Sequence, residues 1–255
     1  MRTRFVLIQT SHAGNVGAAA RALKVMGFDD LVLVAPRWPD VLTRPEAVER
    51  ASGATDVLAA ARIVATVDEA LEGMTHLCAT VMTARDFGPP TTSPRAHLTP
   101  LAGRRGQPAG EGGVAFLFGS ERYGMRNEDV YRCHVALQIP SAPGYGSLNL
   151  AAAIQVIAYE WRSALGGFTD EGGAATAGPA AAAEAAPADA QAVAGMLSHW
   201  EQALVAIGFL NPAAPKKLMP RLRQLFNRAQ PTPEEIHILR GVAKAMLEAS
   251  DRTKP

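Results

Sequence analysis

Two short apolar runs, each closed by a loop that carries glycine, set the narrowest limits on how this chain can fold. Val114 to Phe118 contains no polar residue, as a strand buried on both faces requires. It stops at Gly119-Ser120-Glu121-Arg122-Tyr123-Gly124, a turn with glycine at both ends. Asn127, Glu128 and Asp129 then read as the capped, acidic first turn of a short helix. The second run, Val135 to Ile139, ends at Pro140 and a loop of Pro, Gly, Tyr and Ser. Ser147 is placed to cap the next helix, along which Leu148, Ala151, Ile154, Ile157, Ala158 and Trp161 recur at helical spacing. Two strand ends thus deliver two loops to one edge of a parallel sheet, the edge at which open α/β folds bind ligands.

The rest of the first 165 residues repeats that alternation. Phe5 to Gln9 reads as a strand, Thr10 to Asn15 as a polar turn, and Val16 to Met26 as an alanine-rich helix stopped by Gly27. Strands are expected at Leu31–Val34, Ile63–Val67 and Thr75–Thr80, with helices at Pro45–Ala51 and Asp68–Leu71. Ser93-Pro94 reads as a further helix start. Strands and helices alternating at short spacing make βαβ units, hence an α/β fold with a mostly parallel sheet.

Beyond Leu165 the pattern changes. Residues 166–190 are almost all Ala, Gly and Pro with a few acids, a linker with a partly helical stretch over Ala180–Ala186. Residues 191–255 return to amphipathic helices. Val193, Met196, Leu197, Trp200, Leu204 and Ile207 mark the first, and Lys216 to Arg228 the second. The capping box Thr232-Pro233-Glu234-Glu235 opens the third, with Ile236, Leu239, Val242 and Met246 on one side. The expected domains are therefore 1–165, a linker 166–190, and a small helical module 191–255.

Net charge of +1 excludes an argument from gross basicity, so any nucleic-acid partner must be held by a local patch. Residues 191–255 carry 9 Lys+Arg against 5 Asp+Glu, and their one basic cluster is Lys216, Lys217, Arg221, Arg223 and Arg228. Two cysteines, Cys78 and Cys133, both near apolar runs, support neither a disulfide framework nor a zinc site, so no metal is expected. No apolar run reaches the ~18 residues that cross a bilayer, and no signal-peptide pattern opens the chain. A soluble cytoplasmic protein is the expectation.

Known nucleotide motifs do not fit. In Gly119-Ser-Glu-Arg-Tyr-Gly124 the middle glycine of GxGxxG is replaced by Glu121, and there is no Walker A sequence, GxSxG or HExxH. Three segments remain: Asn15-Val-Gly17 with Arg21; Phe118-Gly119-Ser-Glu121-Arg-Tyr-Gly124; and Ser147-Leu148-Asn149-Leu150. Together, in this order, they resemble the SPOUT superfamily of RNA methyltransferases, in the branch that makes ribose 2′-O-methyl groups. The likeness extends to Val156–Glu160, Leu218–Ala229 and Ile238–Gly241, and there it is similar to the bacterial TrmJ-type tRNA methyltransferases.

The resemblance implies a trefoil knot in the C-terminal part of the sheet, a topology that no sequence pattern would suggest. It implies S-adenosylmethionine as cofactor, in a pocket of Thr80, Val81, Met82, Gly119, Ile139, Gly146, Ser147 and Leu148. It implies a homodimer in which Arg21 reaches the pocket of the other subunit. Asn15 would orient Arg21 or the ribose, Glu121 would order its own loop, and Tyr145 and Ser147 would lie near the transfer point. Because a guanidinium keeps its proton, Arg21 suits stabilising an alkoxide or gripping a phosphate better than acting as a base. RNA contacts fall to Arg21, Lys216, Lys217, Arg221 and Arg223, and the substrate would be a pyrimidine ribose of tRNA, at position 32 of the anticodon loop. Two alternatives stay open: the same chemistry on ribosomal RNA, and a knotted RNA-binding protein without catalysis.

Overall fold

The computed structural model describes residues 1–103, 112–167 and 186–252. Its centre is a sheet of seven strands: β1 (Arg2–Ile8), β2 (Leu31–Val34), β3 (Arg62–Val64), β4 (Met74–Thr80), β5 (Thr91–Thr92), β6 (Gly113–Phe118) and β7 (Val135–Leu137). They lie in the order β3-β2-β1-β6-β4-β7-β5. Every pairing is parallel, with Phe5 seated between Leu31 and Phe116. Around it lie α1 (Ala13–Val25), α2 (Pro45–Ala51), α3 (Thr55–Ala60), α4 (Val67–Ala70), α5 (Pro94–Ala102), α6 (Asn127–Tyr131) and α7 (Leu150–Ala164). Three more helices follow: α8 (Ala190–Ala206), α9 (Leu218–Ala229) and α10 (Pro233–Arg252).

Alternation along the strands divides the core in two. Phe5, Leu7, Phe116 and Phe118 face α1, α5 and α7, with Trp161 edge-on to Phe116 and its indole N–H on Thr3 Oγ1 at 2.9 Å. Val6, Ile8, Ala115 and Leu117 face α4 and α6, with Ala190 of α8 against them. The central strands are thus covered on both sides, which is why their sequences are apolar without alternation.

Several boundaries differ from the sequence reading. The first helix starts at Ala13, so half of the expected polar turn is helical. The strand expected at Ile63–Val67 is three residues long, at Arg62–Val64, and α3 and β5 have no counterpart in that reading. The second glycine-loop strand ends at Leu137, two residues early. Asn127 is the first residue of α6 rather than its cap, which is Arg126. Ser147 does not cap α7: Asn149 does, accepting a hydrogen bond from Ala151 N at 2.9 Å. Leu148 consequently lies outside that helix and is exposed, while Leu150 and Ala153 join its buried face. Lys216 has φ +50° and Lys217 is the N-cap, so neither lies in α9. On the outer helices Ile207 and Val242 are exposed, and Ala243 is buried in place of Val242. The expected helical stretch at 180–186 lies, but for residue 186, outside the described residues.

The capping box forms reciprocally, Thr232 N donating to Glu235 Oε2 at 2.8 Å and Glu235 N to Thr232 Oγ1 at 3.2 Å. Helix α9 rests on the sheet side of the molecule through Asn227, whose amide donates to Cys133 O at 2.8 Å. Beneath it His76, His97 and His134 stack ring on ring, with Gln230 on His76. Cys78 and Cys133 are buried free thiols. No described helix is long and apolar enough to cross a membrane.

Candidate active site

Because β1, β4, β6 and β7 are parallel, their C-terminal ends open on one side. The residues following β1 lead into α1, and those following β6 form the Gly119–Gly124 turn. Ser120 N donates to Gly124 O at 3.2 Å and Gly124 N to Ser120 O at 2.9 Å, closing that turn on itself. A Cβ on Gly119 would stand 2.1 Å from the carbonyl carbon of Gly124, so only glycine fits.

The closed turn aims Glu121 at the first loop. Its carboxylate accepts hydrogen bonds from Thr10 Oγ1 (2.8 Å), Ser11 N and Oγ (both 2.9 Å), His12 N (3.3 Å) and Asn15 Nδ2 (3.0 Å). Burial by itself would raise its pKa, but the hydrogen bonds from Asn15, Ser11 and Thr10 outweigh burial and hold it at about 2. Asn15 in turn accepts from Asn149 Nδ2 at 3.1 Å through its Oδ1. One carboxylate and two amides therefore tie together the three sequence segments. Glu121 is thus bonded to the first loop, and Asn15 to both Glu121 and Asn149.

Between these loops lies a cleft of about 520 Å³, within the range of small-molecule sites. Every residue assigned above to the cofactor lines it, as do Asn15, Glu121 and Tyr145. Val81, Ile139 and Leu150 make its apolar wall, while Tyr145, 79% exposed, stands at the mouth. Thr80, also on the wall, has a buried hydroxyl with no hydrogen-bond partner. His12 and Asn149 line the cleft as well. The polar run Thr10-Ser11-His12 was the available signal, since four donors in a row next to a buried strand need an acceptor.

Two groups of expected residues lie elsewhere. Arg21 is exposed on α1, six residues and about 9 Å along the axis from Asn15, and does not line this chain's cleft. Of the basic cluster, Lys216, Lys217 and Arg221 are exposed. Arg223 is instead turned into the junction with the sheet, near Asp68, Arg132 and His134, where burial and the nearby Arg132 lower its pKa.

Comparison with known proteins agrees with this architecture. Residues 2–159 match the model of the SpoU rRNA Methylase family, and residues 191–255 that of the tRNA methyltransferase TrmJ C-terminal domain. The chain is 42% identical over 246 residues to the tRNA (cytidine/uridine/adenosine-2′-O-)-methyltransferase TrmJ of Pseudomonas aeruginosa, covering 94% of this chain and 92% of that one. It is 40% identical over 255 residues to the tRNA (cytidine/uridine-2′-O-)-methyltransferase TrmJ of Klebsiella pneumoniae, covering 98% of each. The crystal structure of TrmJ from Zymomonas mobilis (Z. mobilis ZM4) superposes with a TM-score of 0.79 at 32% identity, over 96% of this chain and 99% of that one. With family models on both parts and relatives of this identity along nearly its whole length, the chain belongs to the SpoU methylase family, among its TrmJ members.

Proposed function

We propose that this protein transfers a methyl group from S-adenosylmethionine to the 2′-hydroxyl of a pyrimidine ribose in tRNA, at position 32 of the anticodon loop, and that it does so as a homodimer. The observation that carries this reading is the Glu121–Asn15–Asn149 chain of hydrogen bonds, which draws three separated segments around one cleft. The TrmJ relatives are named for this chemistry on tRNA.

The cleft fits the cofactor. Adenine needs apolar walls and a few polar groups, and the cleft has Val81, Ile139 and Leu150 beside the unpartnered Thr80 hydroxyl. S-adenosylmethionine supplies a methyl group already activated on a sulfonium, so no nucleophile on the protein is required. The protein's work is positional: the ribose oxygen must be held about 3 Å from the methyl carbon, in line with the bond that breaks. Tyr145 and Ser147, exposed at the mouth, hold the ribose or its phosphate. Glu121 stays ionised and keeps the first loop in place. Arg21 offsets the negative charge that grows on the 2′-oxygen or grips the next phosphate. Since it does not line its own chain's cleft, it serves the cleft of a second copy.

In this reading residues 1–165 form the catalytic domain, with its C-terminal loops threaded as a trefoil knot. The stretch between α7 and α8 is a linker, and α8 to α10 form a module that holds tRNA through Lys216, Lys217 and Arg221. The protein acts in the cytoplasm, with its substrate. The test is methyl transfer from labelled S-adenosylmethionine to unmodified tRNA and, separately, to ribosomal RNA, with the product nucleotide located by mass spectrometry. Label at ribose 32 of tRNA is the expected result; label only in ribosomal RNA, or none, overturns the reading.

A further inference from the structure

A second set of ligating side chains lies beneath the C-terminal end of α9, and none of them lines the cleft. His76 and Cys78 stand two residues apart on β4, so alternation sends both side chains to the same face of the sheet. Helix α5 covers that face, its Leu98 and Leu101 sharing a core with Cys78. From α5, His97 brings its Nε2 to 2.9 Å from His76 Nε2. Those two nitrogens and Cys78 Sγ all lie within 4.8 Å of one another. His76 and Cys78 are buried and His97 is half-buried.

Two imidazole nitrogens at that distance share one proton, one ring donating and the other accepting. A metal ion can take the proton's place, since neutral imidazole is the commonest metal ligand in proteins. In a tetrahedral zinc site Zn–N is about 2.0–2.1 Å and Zn–S about 2.3 Å, which sets the ligand atoms about 3.3–3.6 Å apart. The rings must therefore part by a few tenths of an ångström and the sulfur approach by little more than about 1 Å. Two imidazoles and a thiolate suit zinc, whereas magnesium and calcium require oxygen ligands.

The surroundings supply the remaining parts of such a site. His76 Nδ1 lies 3.2 Å from the side-chain amide of Gln230, the residue that caps α9. A ligating histidine is oriented by a partner on its second nitrogen, and Gln230 is placed for that role. His134 stacks on His76 with ring centres 4.8 Å apart, and is itself held by Leu77 N, which donates to its Nδ1 at 3.0 Å. A cavity of about 250 Å³ borders His76 and His97 and leaves room for a fourth ligand. Arg228 lines the same cavity, so water or a small anion fits that position.

We infer that His76, Cys78 and His97 bind one zinc ion, with Gln230 of the tail orienting His76. On binding, the Cys78 thiol releases its proton to solvent. Each ring then carries its single proton on Nδ1, and Gln230 accepts that of His76 through its amide oxygen. The ion thereby fastens the end of α9 to the sheet. The expectation of no metal rested on the number of cysteines; here imidazoles from a strand and a helix take the place of further thiols.

The test uses the reduced, tag-free full chain, stripped with a chelator and titrated with cobalt(II), whose absorption reports its ligands. One cobalt per chain is expected, with an ultraviolet thiolate-to-cobalt band and the strong visible bands of a tetrahedral site, both abolished by added zinc. Cys78→Ala is expected to lose the ultraviolet band and Cys133→Ala to keep it. Gln230→Ala is expected to weaken zinc binding by about 10–100-fold with the cobalt spectrum unchanged in shape, and His97→Ala by more. Circular dichroism establishes that each variant is folded. A native chain without the thiolate band at saturating cobalt overturns the inference, and this result needs no variant. A band that persists in Cys78→Ala, or native zinc affinity in His97→Ala, overturns it as well. Native zinc affinity in Gln230→Ala overturns the part assigned to the tail.

Discussion

A carboxylate that accepts five hydrogen bonds between two loops anchors the site through its charge. Glu121 has an ordinary pKa of 4.5 and is held at about 2 in the folded chain. The sign follows from proton linkage: the depressed pKa contributes stability that is fully present above about pH 4.5 and is lost as pH falls toward about 2. Glu121→Gln keeps the shape but loses the charge, and its amide nitrogen offers a donor where the loop supplies only donors. The variant is expected to be less stable than the native chain at pH 7, with the difference shrinking below pH 4.5, as urea unfolding at pH 7, 4.5 and 3 will measure. A difference that stays constant with pH would mean that the charge contributes nothing. Glu121 was legible in the sequence as a site residue through the family resemblance of the Phe118–Gly124 segment. Its partners were not legible, since the first loop lies more than 100 positions away and only the β1–β6 pairing brings it near.

Elements were legible where burial dictates composition. The apolar cores of β1, β2, β4 and β6 stood out because both their faces are covered, whereas at the sheet's edges β3 was read with displaced bounds and the two-residue β5 carries no such pattern. Cap positions slipped for a related reason. Between β7 and α7 the loop runs two residues past the first good cap, Ser147, and Asn149 caps the helix instead. Gly17 shows how an element's packing reaches the site. A Cβ there would stand 1.9 Å from Ala47 O, so α1 and α2 touch backbone to backbone. Gly17→Ala is expected to cost about 1–3 kcal/mol in urea unfolding, the range for overpacking. By pushing α1 away from α2 it also displaces Asn15, two residues earlier, and methyl transfer is expected to fall by more than stability alone explains at a temperature where the variant is folded. Wild-type turnover in a destabilised Gly17→Ala would show that α1 tolerates the shift and that Asn15 needs no exact placement.

At the scale of the whole molecule the decisive fact is a mismatch. The cleft of this chain holds Asn15, Glu121, Tyr145 and Ser147, yet the arginine of the same sequence segment is exposed on α1 and absent from the cleft. The family resemblance put Arg21 and Asn15 in one segment and assigned Arg21 to the pocket of the other subunit; six residues apart on a helix, the two point to different sides. In the proposed two-fold dimer, where one patch meets its own copy, the Arg21 of one copy would complete the cleft of the other. Two inactive variants test this together. Arg21→Ala keeps a sound cleft but supplies no arginine, and Glu121→Gln supplies the arginine but has a loosened cleft. Each alone is expected to lose methyl transfer by orders of magnitude. Unfolded together and refolded at equal amounts, they form hybrid dimers in which the sound cleft of one copy receives the arginine of the other. Random pairing makes half of the dimers hybrids, each with one complete site of two, so about a quarter of native activity returns. If Arg21 acts within its own chain instead, no hybrid has a complete site and the mixture stays as inactive as its parts. The experiment therefore separates a shared site from a private one without any need to see the dimer.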